Sequence, residues 1–201
     1  MPRATIINYG VGNLFSIKCS LERNGFTTTL CSSISPSLRD ADAIILPGVG
    51  NFRAIENMRD IIDELIGIIR GGVPTLGICL GMQILLDESE ESFCRGLGII
   101  HGKVVRLPSS VKIPHIGWNN LEIINPLEIL DDVNEGDYFY FAHSYYPMPS
   151  SRDVIVAETE YGVRFTSVIA YRNIFGVQFH PEKSGRAGEK IIRNFLRIIK
   201  Q

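Results

Sequence analysis

Hydrophobic and polar residues follow two alternating patterns over the first ninety positions of the chain. Short apolar runs predict buried strands at 4–8, 43–46 and 75–78, and the run at 27–31, rich in residues that favour β structure, predicts another strand. Between these runs, apolar residues recur at helical spacing, which predicts helices over 14–24, 52–69 and 80–86. Strands that are apolar throughout and alternate with helices indicate a parallel sheet covered by helices on both faces.

The pattern changes after Ser92. Extended segments separated by turns are predicted at 97–107, 118–124, 138–146, 154–159, 166–172 and 174–179, and a last helix is predicted at 185–200. We therefore expect an α/β fold in which a central, mostly parallel sheet, flanked by helices, gains antiparallel strands in the C-terminal half. Because no linker or repeat interrupts the pattern, residues 1–201 are expected to form a single domain.

Composition narrows the possible functions. The chain is 45% hydrophobic and 21% charged, which is typical of a soluble globular protein. A net charge of -2 gives no electrostatic reason to expect binding to nucleic acid or to a membrane. No signal segment begins the chain and no apolar run reaches membrane-spanning length, so a cytoplasmic location is expected.

Cysteine spacing argues against metal sites and disulfides. The four cysteines include no CxxC pair, so neither a zinc site nor a disulfide framework is expected, and no metal or other cofactor is predicted. Cys19, Cys31 and Cys94 are interpreted as ordinary thiols in a reducing cytosol.

A thiol and an imidazole occupy two sharply defined motifs. Cys79 lies within Gly-Ile-Cys-Leu-Gly, after an apolar strand and before a helical pattern, which is typical of a nucleophile elbow. The amides of the following helix favour a thiolate there. His180, with Glu182 two residues later, offers a base and a carboxylate that can orient it. The sequence therefore predicts a Cys-His-Glu triad for acyl transfer.

Acyl transfer also requires hydrogen-bond donors for an oxyanion. The amide of Leu80, directly after the nucleophile, is one candidate. The loop Pro-Gly-Val-Gly at 47–50 follows a strand, so we expect it at the same carboxyl edge of the sheet as Cys79. Its two glycines permit an unusual peptide orientation, which would allow the Val49 amide to turn toward the site.

Other motifs support weaker hypotheses. Gly10 and Gly12 suggest a dinucleotide-binding turn, but Phe15 stands where the third glycine would be, and no acidic residue ends the second strand. Both observations argue against a nucleotide site of the Rossmann type. His101 and His115 have no partners at ligand spacing and are expected to be structural, whereas His143 is placed on a half-buried strand.

Three motifs together resemble those of class I, or triad, glutamine amidotransferases: the loop at 47–50, Leu-Gly-Ile-Cys-Leu-Gly-Met-Gln at 76–83 and Gln-Phe-His-Pro-Glu-Lys-Ser at 178–184. Within that class, the segments 8–13, 114–119 and 140–145 are similar to the glutaminase subunit of imidazole glycerol phosphate synthase. The resemblance covers nearly the whole chain and implies the corresponding fold. It implies that the chain hydrolyses L-glutamine to glutamate and ammonia through a thioester on Cys79. It also implies that glutamine is held by Gly50, Gln83, Ser144 and Tyr145.

The resemblance further implies a partner. A separate cyclase subunit, a (β/α)8 barrel, would form a heterodimer with this chain and use the ammonia in histidine biosynthesis, and it would be needed for full glutaminase activity. The positions that match the family's interface or its hinge are Asn13, Ser16, Trp118, Tyr140 and Lys183. The alternative is a related amidotransferase that supplies ammonia to another synthase, such as one for amino sugars. A non-catalytic protein with this fold is disfavoured by the intact triad.

Overall fold

The computed structural model describes residues 1–134 and 136–200. The strands are β1 Arg3–Ile7, β2 Thr27–Cys31, β3 Ala43–Leu46, β4 Thr75–Ile78, β5 Glu88–Ser89, β6 Ser92–Arg95, β7 Gly102–Arg106, β8 His115–Asn119, β9 Glu122–Ile123, β10 Phe139–His143, β11 Tyr145–Pro149, β12 Ile155–Glu160, β13 Arg164–Tyr171 and β14 Ile174–Val177. The α-helices are α1 Leu14–Arg23, α2 Pro36–Arg39, α3 Ile62–Arg70, α4 Leu80–Gln83 and α5 Gly185–Ile199. Short 3-10 segments lie at Phe52–Met58, Glu128–Leu130, Arg152–Val154 and Pro181–Lys183.

The central sheet has the strand order β2-β1-β3-β4-β14-β13-β12-β9. From β2 to β14 the neighbouring strands are parallel, whereas β13, β12 and β9 add antiparallel pairs at one edge. The predicted α/β architecture is thus confirmed. The C-terminal half contributes only part of its strands to this sheet, because β8 pairs with β10, and β11, β7, β5 and β6 form another small sheet.

Two hydrophobic clusters cover the two faces of the sheet. Successive residues of a strand point to opposite faces, and accordingly Ile6 and Ile7 of β1 belong to different clusters. Helices α1 and α5 contribute buried residues to the cluster that contains Ile6, and α3 contributes to the cluster that contains Ile7. The sheet is therefore covered by helices on both faces, as the apolar strands predicted.

The single helix predicted at 52–69 is wrong, because the segment divides into the 3-10 segment Phe52–Met58 and helix α3. Its buried side chains explain the division. They recur every three positions at 52, 55 and 58, and every four positions at 61, 65 and 69. A 3-10 helix has three residues per turn and an α-helix has 3.6, so each spacing keeps one face on the core.

The helix predicted at 80–86 ends early, at Gln83. The carbonyl groups of Ile84, Leu85 and Leu86 accept hydrogen bonds from the backbone of residues 97–100 and not from a further helical turn. Gly96 allows this approach, since a Cβ there would lie 1.9 Å from the oxygen of Leu86. Packing from a distant segment therefore outweighs the local helical pattern.

Candidate active site

The three motifs singled out in the sequence follow three neighbouring parallel strands. The loop at 47–50 follows β3, Cys79 follows β4, and the segment that leads to His180 follows β14. These strands are adjacent in the sheet in the order β3-β4-β14. Because the carboxyl ends of parallel strands meet at the same edge of a sheet, the topology brings the three motifs together.

Cys79 occupies a sharp turn between β4 and α4. Its backbone has φ 53° and ψ -106°, a left-handed conformation that is uncommon outside glycine. Glycines on either side make the turn possible. A Cβ at Gly77 would lie 2.6 Å from the oxygen of Gly81, and a Cβ at Gly81 would lie 1.8 Å from the oxygen of Leu46. The structure thus forms the tight elbow that the sequence predicted.

His180 and Glu182 form a buried pair. The Nδ1 atom of His180 lies 2.9 Å from Oε1 of Glu182, and the two side chains are only 1% and 2% exposed. The backbone holds the imidazole in place, because the His180 N–H donates to the Tyr140 carbonyl at 2.8 Å and the Ser184 hydroxyl donates to the His180 carbonyl. A carboxylate at Nδ1 fixes the tautomer in which Nε2 is available for proton transfer.

The charge around His180 favours its protonated form. Burial by itself lowers the pKa of His180, but the neighbouring Cys79 and the Glu182 carboxylate outweigh burial and raise this pKa to about 10. Within the described residues, Nε2 of His180 makes no hydrogen bond of good geometry. Cys79 is nevertheless close enough to contribute more than any other group to the rise in the pKa of His180. The site therefore holds a protonated imidazole beside the Cys79 sulfur.

The two predicted oxyanion donors are not available in this structure. The Leu80 N–H donates to the Gly48 carbonyl at 3.2 Å. In a trans peptide the C=O and N–H groups point in opposite directions, so the Val49 N–H points away from Leu80. The Val49 nitrogen lies instead beside Gly12, 3.5 Å from the position of a Cβ there. The expected oxyanion hole is consequently closed, and its formation requires rotation of the Gly48–Val49 peptide.

The loop at 47–50 is fixed at its first residue and tightly packed at its second. The hydroxyl of the buried Tyr9 donates to the Pro47 carbonyl. Burial, together with the nearby Cys79, raises the pKa of Tyr9 and keeps it a donor. A Cβ at Gly48 would lie 2.8 Å from the Cβ of Leu80, so a side chain there would displace the loop. Val49, by contrast, is 42% exposed.

A cavity of about 260 Å³ lies beside the nucleophile. Its lining includes Cys79 together with both predicted oxyanion positions and all four predicted glutamine-binding positions, namely Val49, Leu80, Gly50, Gln83, Ser144 and Tyr145. A larger cavity, of about 770 Å³, lies between the 3-10 segment 52–58 and strand β6. We place the site in the smaller cavity because the nucleophile lines it.

Glu91 lines both cavities and was missed by the sequence analysis. It lies in the tight turn between β5 and β6, and its Oε2 atom accepts a hydrogen bond from the Phe52 N–H at 2.7 Å. A carboxylate at this position suits a substrate that carries an ammonium group. Residues 88–91 are a short, mostly acidic run, and such a run by itself gave no signal for a binding site.

His115 and His143 lie 28 residues apart in the sequence but form a buried pair in the structure. Nδ1 of His143 lies 2.9 Å from the Tyr145 carbonyl and Nε2 lies 3.0 Å from Nδ1 of His115. A carbonyl can only accept, so His143 carries its proton on Nδ1, and His115 donates to Nε2. Burial lowers the pKa of His115 to about 4 and that of His143 to about 3, and both rings are neutral at pH 7. His143 lies on β10, whose residues alternate between buried and partly exposed, so the expected half-buried strand is confirmed, and the His143 ring is on its buried side.

The predicted interface positions fall into two groups. The first group is centred on Tyr140. Trp118 is 56% exposed and packs edge-on against the Tyr140 ring, with ring centroids 5.9 Å apart. The Lys183 ammonium lies 5.6 Å from the centre of the same ring. Asn13 and Ser16 lie at the start of α1, where the Asn13 side chain accepts from the Ser16 N–H. The Tyr140 ring centroid is 6.4 Å from that of His180, so the first group adjoins the triad.

Over residues 1–134 and 136–200, no group of three or more His, Cys, Asp and Glu side chains is placed to hold a metal ion. Over the same residues, no helix combines the length and the apolar character needed to cross a membrane.

Comparison with known proteins decides the family. The sequence model of the family described as glutamine amidotransferase class-I matches residues 5–199. The chain belongs to this family. It is 48% identical over 197 residues to the imidazole glycerol phosphate synthase subunit HisH of Methanothermobacter thermautotrophicus, a match that covers 97% of this chain and 98% of that one. The HisH subunit of Aquifex aeolicus is 44% identical over 201 residues, with 97% and 96% covered. Within the amidotransferases, the chain is therefore a HisH-type member.

Solved structures share the fold of this amidotransferase. The structure of PurLQS from Thermotoga maritima superimposes with a TM-score of 0.76 at 24% identity, covering 98% of each chain. A glutamine amidotransferase from Thermotoga maritima superimposes with a TM-score of 0.71 at 16% identity, covering 100% of this chain and 99% of the other. At these identities the similarity supports the fold.

Proposed function

We propose that this chain is the glutaminase subunit of an imidazole glycerol phosphate synthase, which hydrolyses L-glutamine and delivers ammonia to a cyclase subunit. One observation carries the chemical part of the proposal. Cys79 lies in the elbow after β4, beside a buried His180 whose Nδ1 is 2.9 Å from Glu182. The similarity to HisH subunits supports the biosynthetic part.

The reaction proceeds in two steps, which are formation of a thioester on Cys79 and hydrolysis of that thioester. The Cys79 thiolate attacks the side-chain carbonyl carbon of glutamine, and the His180 imidazolium gives its proton to the leaving nitrogen. Ammonia departs, and a γ-glutamyl thioester remains on the sulfur. Water then attacks the thioester while His180 takes up a proton, and cleavage of the C–S bond restores the thiolate and the imidazolium. Glu182 holds the imidazole in one tautomer and stabilises it in the stages in which it is charged.

The cavity beside Cys79 holds glutamine in this proposal. Both N–H groups of the Gln83 amide are used within the protein, on the Tyr145 carbonyl and on Gln178. Its Oε1 atom is therefore the one that can accept a hydrogen bond from the substrate. Glu91 is positioned to pair with the α-ammonium group, and Ser144 lines the same cavity.

The closed oxyanion site supports a subunit that is slow by itself. Rotation of the Gly48–Val49 peptide would break the bond to Leu80 and present both the Val49 and the Leu80 N–H groups to the substrate. A loop with two such arrangements is a bistable element, and a ligand shifts it only by binding one arrangement better than the other. We propose that the cyclase does so when it docks on the surface around Trp118 and Tyr140.

Glutamate release from glutamine tests the proposal directly, measured with and without a histidine-pathway cyclase and its nucleotide ligand. We expect a slow rate for the chain alone and a large increase in the complex. The variant Cys79→Ala should lose glutamine-dependent synthesis and keep ammonium-dependent synthesis by the partner, whereas Cys19→Ala should keep both. Glutamine hydrolysis without any increase would overturn the assignment to this cyclase and favour another synthase, such as one for amino sugars.

A further inference from the structure

We propose that Gln178 is a further active-site residue, whose side-chain amide donates a hydrogen bond to the Cys79 sulfur and favours its thiolate. The proposal rests on the proposed function only in taking Cys79 as the nucleophile. Gln178 is fully buried between β14 and His180. Its Nε2 atom lies 3.5 Å from Sγ of Cys79, within the range of a hydrogen bond to sulfur.

The surrounding groups decide which end of the amide faces the sulfur. The Tyr145 carbonyl accepts from the Gln83 Nε2 at 2.8 Å, and a carbonyl can only accept. The same Nε2 lies 3.1 Å from the Gln178 side chain, so the atom of Gln178 that faces it must be the oxygen. The Gln178 Nε2 is then the atom that faces Cys79, and the orientation follows from the network.

The network extends beyond the two amides. The His143 Nδ1–H also donates to the Tyr145 carbonyl, and His115 donates to His143. The backbone N–H of Gln178 donates to the Ser167 carbonyl at 2.9 Å, which fixes the base of the side chain. The Gln83–Gln178 link is buried, and exchange of the Gln178 oxygen and nitrogen would set two N–H donors against each other there. The donor is therefore held toward the sulfur.

A fixed N–H donor acts differently on a thiol and on a thiolate. Hydrogen bonds to an ionised acceptor are about twice as strong as those to a neutral one. The Ala142 carbonyl, 3.9 Å from the sulfur, can accept from a thiol but offers nothing to a thiolate. Gln178 is uncharged, so its effect is the same across the pH range in which cysteine and histidine titrate. Gln178 thus adds to the stabilisation of the thiolate by His180 without adding a second titratable group to the site.

The pH dependence of Cys79 alkylation by iodoacetamide tests this role on the whole chain. Modification of the Cys79 peptide would be followed by mass spectrometry from pH 5 to pH 9, with the Cys19 peptide as an internal standard. In Gln178→Met, which removes the donor at similar size, we expect the midpoint of the pH profile to rise by about one unit. That rise corresponds to roughly tenfold slower alkylation below the midpoint.

Two further variants control for folding and for the network. Gln178→Glu keeps the shape and still accepts from Gln83, but it presents no N–H to the sulfur, and its midpoint should rise at least as far. Gln83→Met breaks the network one step away, and its shift should be smaller. Far-UV circular dichroism and thermal melting would establish that each variant is folded.

An unchanged midpoint in a folded Gln178→Met or Gln178→Glu chain would overturn the proposal, as would a shift in Gln83→Met equal to that in Gln178→Met. The assay contains neither glutamine nor a cyclase. A chain that shows the expected shift but hydrolyses no glutamine even with the cyclase and its ligand would therefore contradict the proposed function and leave the role of Gln178 standing.

Discussion

His143 should make the folded protein less stable as the pH falls from 7 to 5. Within the fold its pKa is lowered to about 3, mainly by burial, whereas the ordinary value for histidine is 6.5. Over this interval the unfolded chain gains a proton at position 143 and the folded chain does not. The free energy of unfolding must therefore decrease as acid is added, because protons bind preferentially to the unfolded state.

The size of the effect follows from the two pKa values. Proton linkage for a group that titrates at 6.5 in the unfolded chain and near 3 in the fold gives a loss of about 2 kcal/mol between pH 7 and pH 5. His115, with a pKa lowered to about 4, acts in the same direction. His180 has a raised pKa, so its stabilisation is nearly complete below pH 6.5 and opposes this loss by less than about 1 kcal/mol.

Urea unfolding at pH 7, 6 and 5 would measure the effect in the native chain and in His143→Asn, in which the side chain cannot titrate. The native chain should lose about 2 kcal/mol more than the variant over this range. His101→Asn is the matched control, because the His101 side chain is 85% exposed, and it should follow the native chain. An equal pH dependence in His143→Asn would refute the reasoning, and so would an NMR titration of the His143 ring near pH 6.5.

Three other substitutions test the site, the elbow and the surface. Glu182→Gln should lower kcat by about 10³-fold or more, because the tautomer and charge of His180 lose their partner, and the pKa of His180 measured by NMR should fall. Gly81→Ala should prevent folding or activity, since its Cβ would overlap the backbone of β3, whereas Gly67→Ala, with open space around it, should leave the melting temperature unchanged or raise it. Trp118→Ala should weaken cyclase binding in a titration at least tenfold without lowering the melting temperature, and an unfolded variant would show that this exposed ring is needed for the fold.

The parts of the site that could be predicted from the sequence are those that strand order determines. The loop at 47–50, Cys79 and His180 each follow an apolar strand, and the parallel order β3-β4-β14 brings them to one edge. The elbow could be predicted because only glycine fits at positions 77 and 81. The expectation of a single domain over 1–201 stays a prediction, as do the functional roles assigned to the individual site residues.

The remaining features depend on contacts between distant segments, which local patterns do not encode. His115 meets His143 because β8 and β10 pair in one particular register. Glu91 reaches the cavity because a short turn packs against the segment that begins at Phe52. In the observed orientation of the Gly48–Val49 peptide, the Gly48 carbonyl accepts a hydrogen bond from the distant Leu80 N–H, and the local sequence does not select this orientation because glycine permits more than one.

Covalent inhibitors should distinguish the two orientations of that peptide. A glutamine aldehyde forms a tetrahedral adduct and gains affinity from groups that bind its oxygen, but in the closed loop the Leu80 N–H is already bound to the Gly48 carbonyl. A haloacetamide reacts by direct displacement and needs no such groups. The ratio of the two potencies would therefore report which loop state is populated, and an aldehyde would select the assembled enzyme over the free subunit.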